Sequence, residues 1–299
     1  MKGKTSTPKV EPISQPEWRS KQSRYASLPE AGITNGLLVA PSFTGKTTWL
    51  SSWILDWYRG ANARIFVFSP NAFTPEWAPV KDYVEKVLGV DPEEEPFLFE
   101  TLDEAELGSI IDTQKKVIAH QKKAKHREMH AILIVLDDLA SEQKFHRNYG
   151  PISELYTRGR HFFIQSICSS QKWKLLSPTA RVNAHWIVAF KQRNRQDLDG
   201  LLQELMAIYP IRGARAAVRG GRERPALLVP LHQHEGAPGT DVLHPLRRDP
   251  HSRWKRRLGG RRWAPSSPAW WANCWETVGP TSARTRARLT TTSLCAAAR

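Results

Sequence analysis

Between about residues 33 and 209 the chain alternates short apolar runs with amphipathic stretches. Apolar runs bounded by small or polar residues read as strands buried on both faces. They are expected at residues 36–40, 64–69, 97–100, 132–137, 163–169 and 186–190. Apolar residues recurring every three or four positions predict helices over 46–58, 80–88, 103–125, 152–159 and 195–208. In the 103–125 stretch, Leu107, Ile110, Ile111, Val117 and Ile118 make one apolar stripe, with Lys, Gln and His left for solvent. This alternation predicts an α/β domain with a central, mostly parallel sheet flanked by helices. Residues 1–30 are polar, with scattered Pro, Ser and Lys, and read as a loosely ordered arm. Beyond Ile211 no window sustains a helical or strand period. The expected organisation is an arm over 1–30, an α/β domain over 31–210 and a separate tail over 211–299.

Charge sharpens that division. The whole chain of 299 residues carries a formal net charge of +15, which by itself points to a polyanionic partner. Residues 211–299 hold 17 Lys and Arg against 5 Asp and Glu, a net of +12, whereas residues 1–210 hold 27 against 24, a net of +3. The basic character therefore belongs to the tail. After Ile211 that tail has no Ile, Phe or Tyr, and one Lys against sixteen Arg. Such text reads like a GC-rich coding region in the wrong frame, so the tail is expected to be disordered or a frameshift product. The rival reading is a nucleic-acid-binding arm, with Arg247, Arg248, Lys255, Arg256 and Arg257 on phosphates or as a nuclear address. Cys168, Cys274 and Cys295 have no metal-ligand spacing and are odd in number for a disulfide framework, which fits a reducing interior. The first residues lack the apolar core of a signal peptide, and no apolar run is long enough to span a bilayer. A soluble, intracellular protein is expected.

The chemistry concentrates at strand ends. Ala40, Pro41, Ser42, Phe43, Thr44, Gly45, Lys46, Thr47 and Thr48 follow the first apolar run. This is the pattern of a phosphate-binding loop, in which backbone N–H groups wrap the phosphates, the lysine reaches the outer ones, and Thr47 ligates Mg²⁺. Ala40 stands where the pattern's first glycine is usual. The run Ala131–Ile132–Leu133–Ile134–Val135–Leu136 ends in Asp137 and Asp138. A strand of this kind lies beside the loop strand in such folds, so Asp137 is expected on Mg²⁺ and Asp138 is expected to activate water. A third run, 162–171, closes on small polar residues and Gln171, which is placed as a sensor of the terminal phosphate. Arg158, Arg160 and Arg181 are candidates for an arginine finger delivered to a neighbouring subunit's phosphate, with Arg193 and Arg195 ranked below them. Plainer readings hold elsewhere. Trp49, Trp53 and Trp57 recur every four residues and suit core or subunit packing. Residues 115–125 with His120, His126 and His130 suit a solvated face, and Glu93–Glu94–Glu95 reads as an acidic loop with no visible partner.

The order of these elements carries a likeness. Loop strand, Asp–Asp strand, Arg158–Gly159–Arg160–His161, the strand ending in Gln171, then Leu176–Ser177–Pro178–Thr179–Ala180–Arg181–Val182–Asn183–Ala184 and an apolar strand resemble the poxvirus-type genome-packaging ATPases of the FtsK/HerA class. The resemblance covers about residues 33–209. It implies a RecA-like P-loop ATPase that binds ATP and Mg²⁺ and couples hydrolysis to moving double-stranded DNA into a capsid. It also implies a homo-oligomeric ring, a hexamer or similar, with a capsid or portal protein as a further partner and no membrane. The location it implies is virus-associated, in the host cytoplasm or nucleus. Ala40 and Asp138 depart from the family's commoner Gly and Glu. Two other classes remain open: a P-loop nucleotide or nucleoside kinase, and a non-enzymatic nucleic-acid-binding module that uses the basic tail.

Overall fold

The structure, a computed structural model, describes residues 18–139, 150–205, 226–230 and 244–245. The first part of the expected arm, residues 206–210 and most of the expected tail, including Arg247, Arg248, residues 255–257, Cys274 and Cys295, lie outside the described residues.

The strands are β1 (Arg19–Ser20), β2 (Gly36–Val39), β3 (Asn62–Phe68), β4 (Leu98–Phe99), β5 (Glu128–Met129), β6 (Ala131–Asp137), β7 (Ile164–Ser170), β8 (Trp186–Phe190), β9 (Ala226–Pro230) and β10 (His244–Pro245). The helices are α1 (Lys46–Ser52), α2 (Ala78–Lys86), α3 (Glu104–Lys123), α4 (Pro151–Arg158), α5 (Pro178–Asn183) and α6 (Arg195–Leu205). The main sheet runs in the order β10-β9-β8-β2-β7-β6-β3-β4. From β4 through β8 all neighbours pair in parallel, and β9 joins β8 antiparallel. The expected α/β architecture is thus present, with strand boundaries displaced by no more than two residues. Every residue of β2, β6, β7 and β8 is buried, which is why β2, β6 and β8 read as continuous rather than alternating apolar text, whereas β7 buries Gln165, Ser166, Ser169 and Ser170 as well.

Besides Gln114 and Gln121 of α3, which are buried against backbone groups rather than left for solvent, four features differ from the sequence expectation. First, the helix expected over 46–58 is α-helical only to Ser52 and continues as a π-helical turn over Trp53–Trp57. That turn seats an aromatic cluster. Trp53 stacks on Trp186 at 4.6 Å between ring centroids and on Tyr58 at 4.4 Å, while Trp49 lies 4.9 Å from Trp53. Second, part of the expected arm is docked. β1 pairs in parallel with β5, the Ser23 hydroxyl donates to the Trp57 carbonyl at 2.6 Å, and Leu28 packs on the core. Third, Glu95 is buried beside Arg64, whose Nε lies 3.0 Å from both carboxylate oxygens, so the acidic loop has a partner after all. Fourth, the sheet gains a strand beyond 210. The run Ala226–Leu227–Leu228–Val229 between two prolines was too short to register as a period, yet its backbone pairs with β8 from Ala226↔Phe190 to Pro230↔Trp186.

The pairing of β2 with β8 depends on one glycine. Gly36 stands opposite Trp186 in the ladder, and the indole lies across the place a side chain would take. A Cβ on Gly36 would come within 2.0 Å of Trp186 Cζ2. The same indole closes the Trp49–Trp53 cluster, so its displacement would disturb the packing beneath α1. We expect Gly36→Ala to cost about 1–3 kcal/mol of stability, the usual range for overpacking a filled core. Urea unfolding followed by tryptophan fluorescence measures this. An unchanged midpoint would show that the ring moves aside at no cost.

Candidate active site

β2 lies between β7 and β8, and all three run in the same direction, so their carboxyl ends converge on one edge. Crevices outside the carboxyl ends of parallel strands are where such sheets bind ligands. The loop that follows β2 occupies this edge. Ala40 is fully buried, its N–H donating to the Ser170 carbonyl at 3.0 Å, so its methyl sits in the core below the loop. The Thr44 hydroxyl donates back to the Pro41 carbonyl at 2.6 Å. Gly45, at φ 90°, turns the chain into α1, a conformation that costs glycine no steric penalty. Phe43 takes φ 61° and is fully exposed at 101 %. Lys46 and Thr47 open α1, whose first-turn N–H groups lack acceptors within the helix.

Three strands bring the charged groups together. Lys46 Nζ lies 3.0 Å from Asp138 Oδ1 and 3.4 Å from Asp137 Oδ1. The ammonium is buried and makes no well-directed hydrogen bond to either carboxylate. It is a donor that still needs acceptors. Asp137, at the end of β6, is buried and held through both oxygens: Ser169 Oγ donates to Oδ1, and Ser69 Oγ donates to Oδ2 at 3.4 Å. The Asp138 backbone is left-handed at φ 59°, and its N–H donates to Ser169 Oγ at 3.2 Å. That turn swings its side chain away from the strand direction into a partly open position. Gln171, just past β7, ties the two sides of the site: Nε2 donates to Asp138 Oδ2 at 2.9 Å, and Oε1 accepts from Ser42 Oγ at 2.9 Å. An ionised carboxylate can only accept, so the amide nitrogen must face Asp138. Cys168 lies inside β7, where burial first and Asp137 second push its thiol far above the ordinary range, leaving it a neutral core residue.

The arginines separate by position. Arg158 ends α4 and Arg160 sits in the short turn Gly159–Phe162, both ahead of β7 and exposed. β7 has seven residues, so they stand about 20 Å from their own loop at the strand rise of ~3.3 Å per residue. Arg181, on α5, pairs with Glu204 of α6 and lies 5.6 Å over the Trp173 ring, whose Nε1 also donates to Glu204 at 3.1 Å. It is committed to packing within its own domain. Arg195 pairs with Asp199 one helical turn on. Arg193, ranked low from sequence, is the arginine that touches the loop: its Nη2 donates to the Ser42 carbonyl at 3.2 Å. The structure therefore gathers Ser42, Lys46, Asp137, Asp138 and Gln171, and leaves Arg158, Arg160 and Arg181 apart. Sequence reading missed Ser69 and Ser169, which aim Asp137. Their only signal was a small polar residue closing an apolar run.

No curated protein matches the sequence. Among solved structures, the genome packaging NTPase B204 from Sulfolobus turreted icosahedral virus 2 superposes over 67 % of this chain and 93 % of its own, at 14 % identity and a TM-score of 0.47. EssC (ATPases 2 and 3) from Geobacillus thermodenitrificans superposes over 74 % of this chain and 46 % of its own, at 12 % identity and a TM-score of 0.43. The cytoplasmic domain of the type VII secretion ATPase EccC from Thermomonospora curvata does so over 74 % and 28 %, at 10 % identity and a TM-score of 0.39. The family model described as Poxvirus A32 protein matches residues 24–213, a span that carries the loop, Asp137, Asp138, Gln171 and Arg193, and the chain belongs to that family.

Proposed function

We propose that this chain is an ATP-hydrolysing motor that drives double-stranded DNA into a viral capsid, working as a homo-oligomeric ring. The observation that carries the reading is the Lys46 ammonium, buried beside two carboxylates and still short of acceptors, at the mouth of a loop built for phosphates. Membership of the Poxvirus A32 protein family supports it.

The residues present suit both ATP and Mg²⁺. Gly45 and the first turn of α1 supply backbone N–H groups for phosphate oxygens. Among the described residues there is no cluster of three or more His, Cys, Asp or Glu, so these residues offer no ready-made metal cage. Mg²⁺ is commonly held by one or two protein oxygens together with substrate phosphates, and Thr47 with Asp137 supplies such a pair. When bound, the ion would neutralise charge that develops on the phosphates.

The remaining steps belong to side chains. Lys46 exchanges its carboxylate neighbours for the outer phosphate oxygens. Asp137, fixed by Ser69 and Ser169, keeps its orientation through that exchange. Asp138 then faces the open side as the general base, and Gln171 holds its carboxylate in place through Nε2. Because Gln171 also bonds Ser42, movement of the loop on nucleotide binding is transmitted to the base. Arg158 and Arg160, remote from their own loop, are left to act on an adjoining subunit. The net charge of +3 over residues 1–210 suits a pore that grips DNA through a few cations per subunit, independent of sequence.

Duplex DNA is expected to stimulate ATP hydrolysis, with the stimulation fading as salt rises. A kinase would show no stimulation and would phosphorylate a small acceptor instead. Lys46→Ala should abolish turnover. Asp138→Asn should lower kcat by on the order of 10²–10⁴-fold while leaving ADP affinity near the wild-type value. Chelation of divalent ions should stop hydrolysis and excess Mg²⁺ restore it. Wild-type turnover in both variants would overturn the site assignment.

A further inference from the structure

The loop between β8 and α6 is anchored on both sides of Arg193. Gln192 Nε2 donates to the Phe190 carbonyl at 2.7 Å and to the Val39 carbonyl, at the end of β2, at 3.3 Å. Asn194 caps α6, its Oδ1 accepting from Gln196 N at 2.9 Å and its carbonyl accepting from Leu198 N at 3.2 Å. Arg193 is thus held at the phosphate loop by a rigid frame, although its side chain is exposed. One of its N–H groups goes to the Ser42 carbonyl. A guanidinium carries five N–H donors, so most of its capacity is left over. Among the described residues no carboxylate forms an ion pair with it. An arginine tethered at an anion-binding loop without an acidic partner is a site for an anion.

Its place on the loop says which anion. Ser42 is the residue whose hydroxyl meets Gln171, and Gln171 meets Asp138. Arg193 therefore meets, from the β8 side of the loop, the same residue that is linked through Gln171 to Asp138 on the β6 side. Farther along the loop, the backbone N–H groups after Gly45 are offered to the inner phosphates, while the Lys46 side chain reaches back toward Asp138. We propose that Arg193 binds the terminal phosphate of a nucleoside triphosphate within its own subunit, so that the site senses the third phosphate without help from a neighbour. The proposal rests on the nucleotide-site reading above.

The test compares the full-length wild type with Arg193→Ala and Lys46→Ala, using a non-hydrolysable ATP analogue and ADP as probes. Arg193→Ala should weaken the analogue by about ten-fold or more, the loss expected for a charge-assisted hydrogen bond, and leave ADP within about two-fold. Mixing Arg193→Ala subunits with Lys46→Ala subunits should give no more ATPase activity than the Arg193→Ala subunits show alone, because an arginine acting within its own subunit cannot be supplied by the other chain. Equal losses for analogue and ADP, no loss for either, or activity regained on mixing would each overturn the proposal. Wild type and Lys46→Ala binding both nucleotides alike would instead sink the nucleotide-site reading itself.

Discussion

The site depends on one unfavourable arrangement, a buried ammonium beside two carboxylates, of which only Asp138 is appreciably open to water. Burying charge is costly unless each group has partners, and removing one partner costs more than the pair is worth. The sheet resolves this by geometry. β2 leads into Lys46, β6 delivers Asp137 and Asp138, and β7 between them contributes Ser169 and Gln171. Because β7 separates β2 from β6, the loop and the carboxylates face each other across its carboxyl end. Both oxygens of Asp137 are satisfied by serines, so it does not need the lysine for hydrogen bonding. Lys46 is held by its two ion pairs alone.

Two of the four non-glycine residues with positive φ among the described residues lie at this site, the others being Lys125 and Phe163. Phe43, Gly45 and Asp138 all have positive φ within a few residues of the site. Glycine tolerates this freely and aspartate fairly well, but for phenylalanine it is an uncommon conformation. Each of the three redirects the chain at the point where a strand hands over to a loop or helix. Such outliers survive only where surrounding contacts over-determine them. Here those contacts are identifiable: Ala40 to Ser170 under the loop, Asp138 N to Ser169, and Gln171 across the gap.

Much of this was legible in the sequence, for physical reasons. Strands covered on both faces become uninterrupted apolar text, which is why 132–137 and 186–190 could be read closely. The phosphate loop and Asp137–Asp138 announce themselves because their chemistry demands particular residue types at strand ends. Support for those residues is different. Any small hydroxyl at the close of β3 or β7 would look the same in sequence, and only the register that places Asp137 opposite Ser169 reveals the second layer. The partner of Glu95 was hidden because Arg64 lies 31 residues away, on a strand whose other residues, Asn62 apart, are apolar. β9 was missed because four apolar residues between prolines carry too little period to be told from a loop.

The arginines show most directly what a sequence withholds. Residue type is the same for Arg158, Arg160, Arg181 and Arg193, and each lies near a strand that builds the domain. What separates them is which end of the strand they occupy. In a parallel sheet the carboxyl ends form one edge and the amino ends the other, and a strand of seven residues keeps the two apart. Arg158 and Arg160 precede β7 and so stand at the edge away from their own loop. Arg193 follows β8 and so stands at the loop, with Gln192 and Asn194 fixing it there. Arg181, on α5 ahead of β8, is bound to Glu204. Direction along the strand thus separates the arginine that stands at the loop from the two that stand at the far edge, a difference that residue type alone does not carry.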